Sequence, residues 1–322
     1  MMAPKIAVLT SGGDAPGMNA AIRAVVRRAI NKGYEVCGIQ RGYAGLFNGN
    51  QLVALGIGSV ADIIHRGGTI LLTARAPEMF QPENQDKAAA FLKAEGVDGL
   101  VIIGGEGTFR GAVTLEKRGI KTICVPGTID NDINGTELTI GFDTAVNTIL
   151  EAVNRLRDTA TSHERIFILE VMGRQNGYLA LAAGLAGGAE SILVPEIEYD
   201  LDQVSSRLLR GIKRQKTHSI ILVAEGAADV YKVKKEIKRR IDTEIRVTVL
   251  GHIQRGGSPS AVDRLLGSRM GSAAVDLLHE GKRGLFTAVR GETITAKPLE
   301  ECFETAKPFP EDLYNLALVL SR

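Results

Sequence analysis

No charge of either sign dominates this chain: 39 Lys and Arg face 37 Asp and Glu. That near balance removes the broad attraction a nucleic-acid or membrane-surface partner would need. Any anion must be held locally. Cysteine is scarce too, and Cys37, Cys124 and Cys302 are odd in number and far apart, which excludes a disulfide framework or metal-ligand spacing and fits a reducing cytoplasm. Nowhere do about 18 apolar residues run unbroken, and MMAPKIAVLTSGG lacks a charged region followed by an apolar stretch. Neither a membrane span nor a secretory leader is expected. Internal repeats, low-complexity tracts and Pro-rich linkers are absent as well.

What is present is length and periodicity. A chain of 322 residues exceeds the usual limit of one hydrophobic core, so two domains are expected, one large domain being the alternative. Short apolar β-rich runs predict strands at 5–9, 35–39, 99–103, 122–125, 165–171, 191–194, 219–224 and 246–250. Helical periods lie between them. NAAIRAVVRRAINKG puts Ile22, Val25, Val26, Ala29 and Ile30 on one face and stops at Gly33; TAVNTILEAVNRLRDTA does the same with Val146, Ile149, Leu150, Val153 and Leu156. Continuously apolar strands alternating with helices predict mostly parallel sheets covered on both faces, an α/β doubly wound architecture occurring twice, with a crossing near residue 140. The basic run YKVKKEIKRR (231–240) reads as a solvated helix face.

In such sheets ligands bind outside the carboxyl ends of the strands, where helix N-termini offer N–H groups to anions. Three loops qualify. In LTSGGDAPGMNAA, Gly12 and Gly13 let backbone approach a phosphate, Asp14 is placed to cap the helix and Pro16 to enter its first turn; a capped turn without ligand is the alternative. In VIIGGEGTFRGA, Gly104, Gly105 and Gly107 permit close approach of a polyphosphate. Glu106 would repel it unless a divalent cation lay between, which makes it a candidate Mg²⁺ ligand. Two readings compete: a plain charge at a helix N-terminus, and a variant dinucleotide fingerprint built on Gly105, Gly107 and Gly111. The fingerprint wants an acid at the end of the next strand, whereas TICVPG ends in Pro126 and Gly127, and no GxxxxGK[ST] occurs. In PGTIDNDINGTE, Asp130 and Asp132 point the same way if the segment is extended, so one carboxylate can accept a proton while the other orients it; Asx-turn chemistry is the bland alternative.

Arginines suited to two-pronged phosphate contacts stand at Arg75, Arg165, Arg174, Arg246 and Arg255, with His252 beside the last. Each alone is more often a surface residue. His65, His163, His218 and His279 carry no metal spacing.

The motifs LTSGGDAPGMNAAIR, HRGGT, PGTIDNDI, GFDTA, EVMGR and VLGHIQRGGSP, in order over residues 4–290, resemble the bacterial ATP-dependent 6-phosphofructokinase family. The resemblance implies two Rossmann-like domains, an ATP-binding one over 1–139 plus 254–304 and a sugar-phosphate-binding one over 140–253 plus 305–322. It implies a cytoplasmic, glycolytic homotetramer without nucleic-acid or membrane partners. Its reaction, Mg²⁺-dependent, moves the γ-phosphoryl of ATP to O1 of fructose 6-phosphate. Carried over by position, Gly13, Arg75, Ala76, Glu106, Gly107 and Thr108 bind ATP, with Glu106 on the metal. Asp130 is the general base, Thr128 and Asp132 support it, Gly13 donates its N–H to the transferring group and Arg174 steadies it. Met172, Gly173, Arg174, Glu225, His252 and Arg255, with Thr128 and Asp130, take the sugar phosphate, and Arg165 and Arg246 reach across from a neighbouring subunit. Pyrophosphate-using relatives place Asp at Gly107 and Lys at Gly127, so glycine at both favours ATP.

Two departures stand out. The family writes GGDG where this chain has GGEG, moving the metal-binding oxygens by about one carbon–carbon bond where Mg²⁺ demands near-ideal geometry. A nucleotide- and sugar-phosphate-binding protein with impaired catalysis is therefore the alternative. Arg23, Arg27, Arg157, Glu190, Arg214, Lys216 and His218 match positions around an ADP or phosphoenolpyruvate effector. Yet LGIGSVAD lacks the basic residue usual near Ile57, which predicts a weak or altered response.

Overall fold

The computed structural model describes residues 3–47 and 51–321. One compact unit runs to Thr144 and resumes over Arg255–Lys307; the other comprises Ala145–Gln254 and the segment from Pro308.

In the first unit the strands are β1 (Lys5–Thr10), β2 (Glu35–Ile39), β3 (Leu52–Ala54), β4 (Val97–Gly104) and β5 (Thr122–Pro126). The second unit supplies β6 (Ile166–Val171), β7 (Ser191–Leu193), β8 (Ser219–Ala224) and β9 (Ile245–Val249), and the chain returns to the first for β10 (Leu285–Arg290) and β11 (Thr293–Pro298). The helices are α1 (Met18–Asn31), α2 (Pro82–Ala94), α3 (Glu106–Glu116), α4 (Phe142–His163), α5 (Tyr178–Ala186), α6 (Leu201–Lys213), α7 (Val230–Lys238), α8 (Ala261–His279), α9 (Glu301–Glu304) and α10 (Glu311–Leu320).

The first sheet has the order β11-β10-β5-β4-β1-β2-β3, parallel except for the β10/β11 and β2/β3 pairs. Its residues alternate. Ala7, Leu9, Leu100, Ile102 and Cys124 share a core with Ala88, Leu92, Phe109, Ala112 and Leu115 of α2 and α3. On the opposite face a Cβ built at Gly99 would lie 3.1 Å from Leu278 of α8. Both faces are thus covered, as continuously apolar strands require. Helices α1 and α8 approach closely because Gly267 and Gly271 carry no Cβ, which would stand 2.8 Å from the Gly17 carbonyl oxygen and 2.6 Å from that of Ala21.

The second sheet, β7-β8-β6-β9, is wholly parallel. Ile166, Ile168, Leu193, Ile221 and Val223 pack with Val204 and Leu208 of α6 and Val233 and Ile237 of α7. Helix α5 meets the other face through Gly184, whose missing Cβ would sit 2.5 Å from Ile192. The basic run lies largely within α7, its lysines at 232, 235 and 238 exposed and Val233 and Ile237 buried, as a solvated face demands.

All eight expected strands are present, and β3, β10 and β11 are additional. The three additions are at or next to sheet edges, and β11, half polar and mostly exposed, gives no apolar run to read. The three cysteines are buried and free. Burial pushes the Cys37 thiol up to about 11 and Cys302 to about 12, so neither is a reactive thiolate at neutral pH. No helix among the described residues is long and apolar enough to cross a membrane.

Candidate active site

Strands β5, β4 and β1 are adjacent, and strand order reverses between β4 and β1. The three glycine-bearing loops therefore leave neighbouring strands at the carboxyl edge, where open α/β sheets bind ligands. Backbone bonds knit them together. Ser11 N donates to Ile103 O at 3.0 Å, and Gly127 N to Gly104 O at 3.0 Å. Thr108 Oγ1 donates to Ser11 O at 2.9 Å, and Tyr43 Oη to Thr108 O at 2.7 Å. Thr108, expected at the nucleotide, thus turns its buried hydroxyl into this joint. Tyr43 and Ser11 were not singled out in the sequence, since neither carries a charge or a motif of its own.

The closeness explains Gly104. A Cβ at Gly104 would lie 2.5 Å from Ser11 O, and at Gly13 1.9 Å from Arg255 Nη1. Arg255, matched above to the sugar phosphate, therefore lays its guanidinium against the first glycine loop. A Cβ at Gly105 would be 3.6 Å from Thr128 Cβ, which joins the second loop to the third. Gly107 faces open space, whereas a Cβ at Gly127 would press Ile103 and Met18 at 3.0 and 3.1 Å. Gly127 thus has a packing reason to be glycine, and the donor argument rests on Gly107. Gly111 is explained by the Tyr43 ring, 2.6 Å from its would-be Cβ, without any dinucleotide fingerprint.

Two expectations for the loops need correcting. Asp14 does not cap α1, which starts after Gly17 at φ 104° with no side-chain cap; Pro16 precedes the helix instead of entering its first turn. Asp14 instead lines an open cleft of ≈ 380 Å³ with Arg41, Thr69, Leu72, Thr73 and Ala74. Nor is the third loop extended, because Asn131 adopts φ 53°, so the alternation argument for Asp130 and Asp132 does not apply. What places Asp130, 2% exposed, is a set of local bonds. Its N–H donates to Thr128 Oγ1 at 3.2 Å, Thr139 Oγ1 donates to Thr128 O at 2.6 Å, and Asn131 Nδ2 donates to Glu137 O at 3.2 Å.

Glu106 opens α3 and pairs with Arg110 one turn on, through Nε at 3.1 Å and Nη2 at 2.5 Å. Arg110 in turn stacks on Phe303 at 4.6 Å. Both described bonds fall on Oε1, which leaves Oε2 available to a cation. One carboxylate beside phosphate oxygens is a donor set that Mg²⁺ accepts, so the residues fit. The plain helix-charge reading is satisfied at the same time. Arg75 is exposed, and Ala76 packs partly on the core.

In the second unit, β6 lies between β8 and β9, and their carboxyl-end loops carry the expected residues. Glu225 Oε1 accepts the Arg174 N–H at 2.8 Å, and Gln254 Oε1 accepts the Met172 N–H at 3.2 Å. Gly173 at φ 138° and Arg174 at φ 54° form a strained corner that Glu225 stabilises. His252 is exposed in the turn Gly251–Arg255. Burial, then the charges of Glu225 and Asp229, raise the Glu170 carboxyl. Arg165 and Arg246 stand at the amino end of this sheet, away from Met172–Arg174, and share Glu244: Arg165 Nε donates to it at 2.6 Å and Arg246 pairs with its other oxygen. The Arg165 bond first, then the arginine charges, hold the Glu244 carboxyl low.

The amino end also gathers four of the effector matches. Lys216 pairs with Glu190, whose Oε2 accepts the Ile220 N–H at 2.5 Å; Arg157 donates to Gly187 O; His218 Nδ1 lies 3.0 Å from Thr161 Oγ1. Burial lowers the His218 imidazole, partly countered by Glu190. Arg214 ends α6, while Arg23 and Arg27 sit half-buried on α1 in the first unit. Ile57, where a basic residue was missed, is 57% exposed. Gln254, fully buried, and Glu244 are further site residues sequence reasoning overlooked; the G-H-I-Q-R motif contained the first, and only Arg246, two residues on, marked the second, since Arg165 lies 79 residues away.

Comparison with known proteins accords with this arrangement. The family description Phosphofructokinase matches residues 5–278. The chain is 55% identical over 317 residues to the ATP-dependent 6-phosphofructokinase of Natranaerobius thermophilus, covering 98% of this chain and 99% of that one. Its identity to the Bacillus subtilis protein of the same name is 54%, with the same coverage. Among solved structures, phosphofructokinase from Saccharomyces cerevisiae superposes with a TM-score of 0.88 at 34% identity, over 98% of this chain and 48% of the yeast chain. By the extent of these matches, this chain belongs to the phosphofructokinase family.

Proposed function

We propose that the protein is an ATP-dependent 6-phosphofructokinase, a phosphotransferase acting on an alcohol group, which moves the γ-phosphoryl of ATP to O1 of fructose 6-phosphate. The observation that carries this reading is the adjacency of three glycine-bearing loops, the third of which bears Asp130, at the carboxyl edge of the first sheet beside its switch point. Identity of 55% to relatives named for this activity supports it, and no observation favours a binding protein with impaired catalysis. The first unit is the ATP-binding domain and the second the sugar-phosphate domain.

Gly12 and Gly13 admit the phosphates to the backbone, and Gly13 offers its N–H to the transferring group. Arg75, Ala76, Gly107 and Thr108 border the nucleotide. Glu106 would hold Mg²⁺, which would supply positive charge to neutralise the phosphates. Asp130, held by Thr128 and backed by Asp132, takes the proton of the sugar O1 hydroxyl as the O1–phosphorus bond forms. ADP leaves with the electron pair of the broken bond, and Asp130 returns its proton to solvent. Arg174 and Arg255 supply positive charge to the phosphoryl group and the sugar phosphate. Met172, Gly173, Glu225 and His252 shape the sugar site, and Arg165 and Arg246 complete that of a neighbouring subunit in a homotetramer. ADP or phosphoenolpyruvate would act through Arg157, Glu190, Arg214, Lys216 and His218 with Arg23 and Arg27, weakly for want of a cation at Ile57. The cytoplasm is the proposed location.

An aldolase-coupled assay with fructose 6-phosphate and ATP, pyrophosphate or no donor tests the reading. Turnover with ATP and Mg²⁺ alone is expected; turnover with pyrophosphate only, or with neither, would overturn it.

A further inference from the structure

The third loop is secured at its far end by a residue outside every motif. Lys307, half-buried, donates from Nζ to the Glu137 carbonyl oxygen at 3.0 Å. Asn131 Nδ2, beside Asp130, donates to the same oxygen at 3.2 Å. Two residues earlier, Thr305 Oγ1 accepts the Asn134 amide at 3.0 Å. The segment 305–307 therefore straps the loop across 134–137. Behind it, Glu137 N donates to Val289 O at 3.1 Å, and its Oε2 accepts the Gly291 N–H at 2.8 Å.

We propose that Lys307 is a positioning residue for phosphoryl transfer, its ammonium fixing the loop through the Glu137 carbonyl and setting a positive charge against Asp132 behind the base. The inference rests on the reading of Asp130 as that base. The loop needs such a tie because Asn131 occupies the left-handed region, a conformation that persists only when its surroundings over-determine it. A shared acceptor couples the two events. Loss of the lysine removes one of the two described bonds to the Glu137 carbonyl and the cation facing Asp132 and Glu137. Burial lowers the Lys307 ammonium to about 8, and the charges of Asp132 and Glu137 raise it. Lys297, whose Nζ lies 3.7 Å from a Cβ built at Gly135, is a further cation near this loop.

Lys307→Met and Lys307→Arg test the proposal with amide exchange and kinetics on the full-length protein. Lys307→Met should speed amide exchange over 128–137 by about tenfold and lower kcat by about 10²-fold, with KM for ATP held within about twofold. Lys307→Arg should restore exchange and most of kcat. In the wild type kcat should decline above about pH 8 as the lysine deprotonates. Arginine, which stays charged, should abolish that decline. Unchanged exchange and kcat in Lys307→Met would overturn the proposal. Should that variant not fold, an alkaline decline in Lys307→Arg identical to the wild type would overturn it equally. If the wild type showed no ATP-dependent turnover, the functional reading would fall, and exchange over 128–137 would still decide the role of Lys307.

Discussion

The two sheets hold their carboxyl-end loops by different means. In the first unit the loops after β1, β4 and β5 touch through backbone bonds, the Thr108 hydroxyl and Gly104, where a Cβ would meet the Ser11 carbonyl oxygen. In the second the loops after β6, β8 and β9 add amide and carboxylate side chains, Glu225 to the Arg174 N–H and Gln254 to the Met172 N–H, to a close backbone approach at Gly226, where a Cβ would lie 2.1 Å from the Arg174 carbonyl oxygen. Substitutions should therefore act differently in the two units.

The largest effect is expected at the base. Asp130→Asn should lower kcat by about 10³-fold while ATP affinity, measured by titration calorimetry, stays near wild type; loss of ATP binding instead would remove the distinction between cradle and base. Next comes the cradle itself. Gly104→Ala drives a Cβ toward a backbone oxygen that cannot give way, and should cost about 1–3 kcal/mol of stability in denaturant unfolding together with most ATP affinity. In the second unit Gln254→Leu strands the Met172 N–H, costing about 1–3 kcal/mol by the same measurement. Its kinetic signature should be a raised KM for fructose 6-phosphate with KM for ATP unchanged. The smallest effect belongs to Glu106→Asp, which loses an exposed pair with Arg110 worth about 0.3–0.5 kcal/mol. Steady-state turnover should be preserved or raised; a large fall would show that the longer side chain is required here.

The same contrast explains what the sequence disclosed. Glycine clusters after apolar runs announce loops at strand ends, so the three loops of the first unit were legible in the sequence. The mechanism of placement was not. Asp130 was expected from an extended i, i+2 alternation, yet Asn131 breaks the extension and Thr128 and Thr139 hold the turn. Asp14 was expected at a helix cap, but the left-handed Gly17 starts α1 without one. Long-range ties are silent in a linear reading. Gln254 lies 82 residues from Met172, and Asp263, which accepts from Gly141 N at 2.7 Å and Thr144 N at 2.8 Å to hold the start of α4, lies 122 and 119 residues from its partners. The strand ladder was recovered because parallel strands buried on both faces are apolar throughout, whereas the mostly exposed β11 has no such mark.

Amide exchange of the wild-type protein with and without MgATP tests most directly whether the three loops form one phosphate cradle. Slower exchange at 11–17, 104–108 and 126–132 together, saturating at one ATP concentration, is the predicted result. Protection confined to one of these loops, or found only in the second unit, would contradict it.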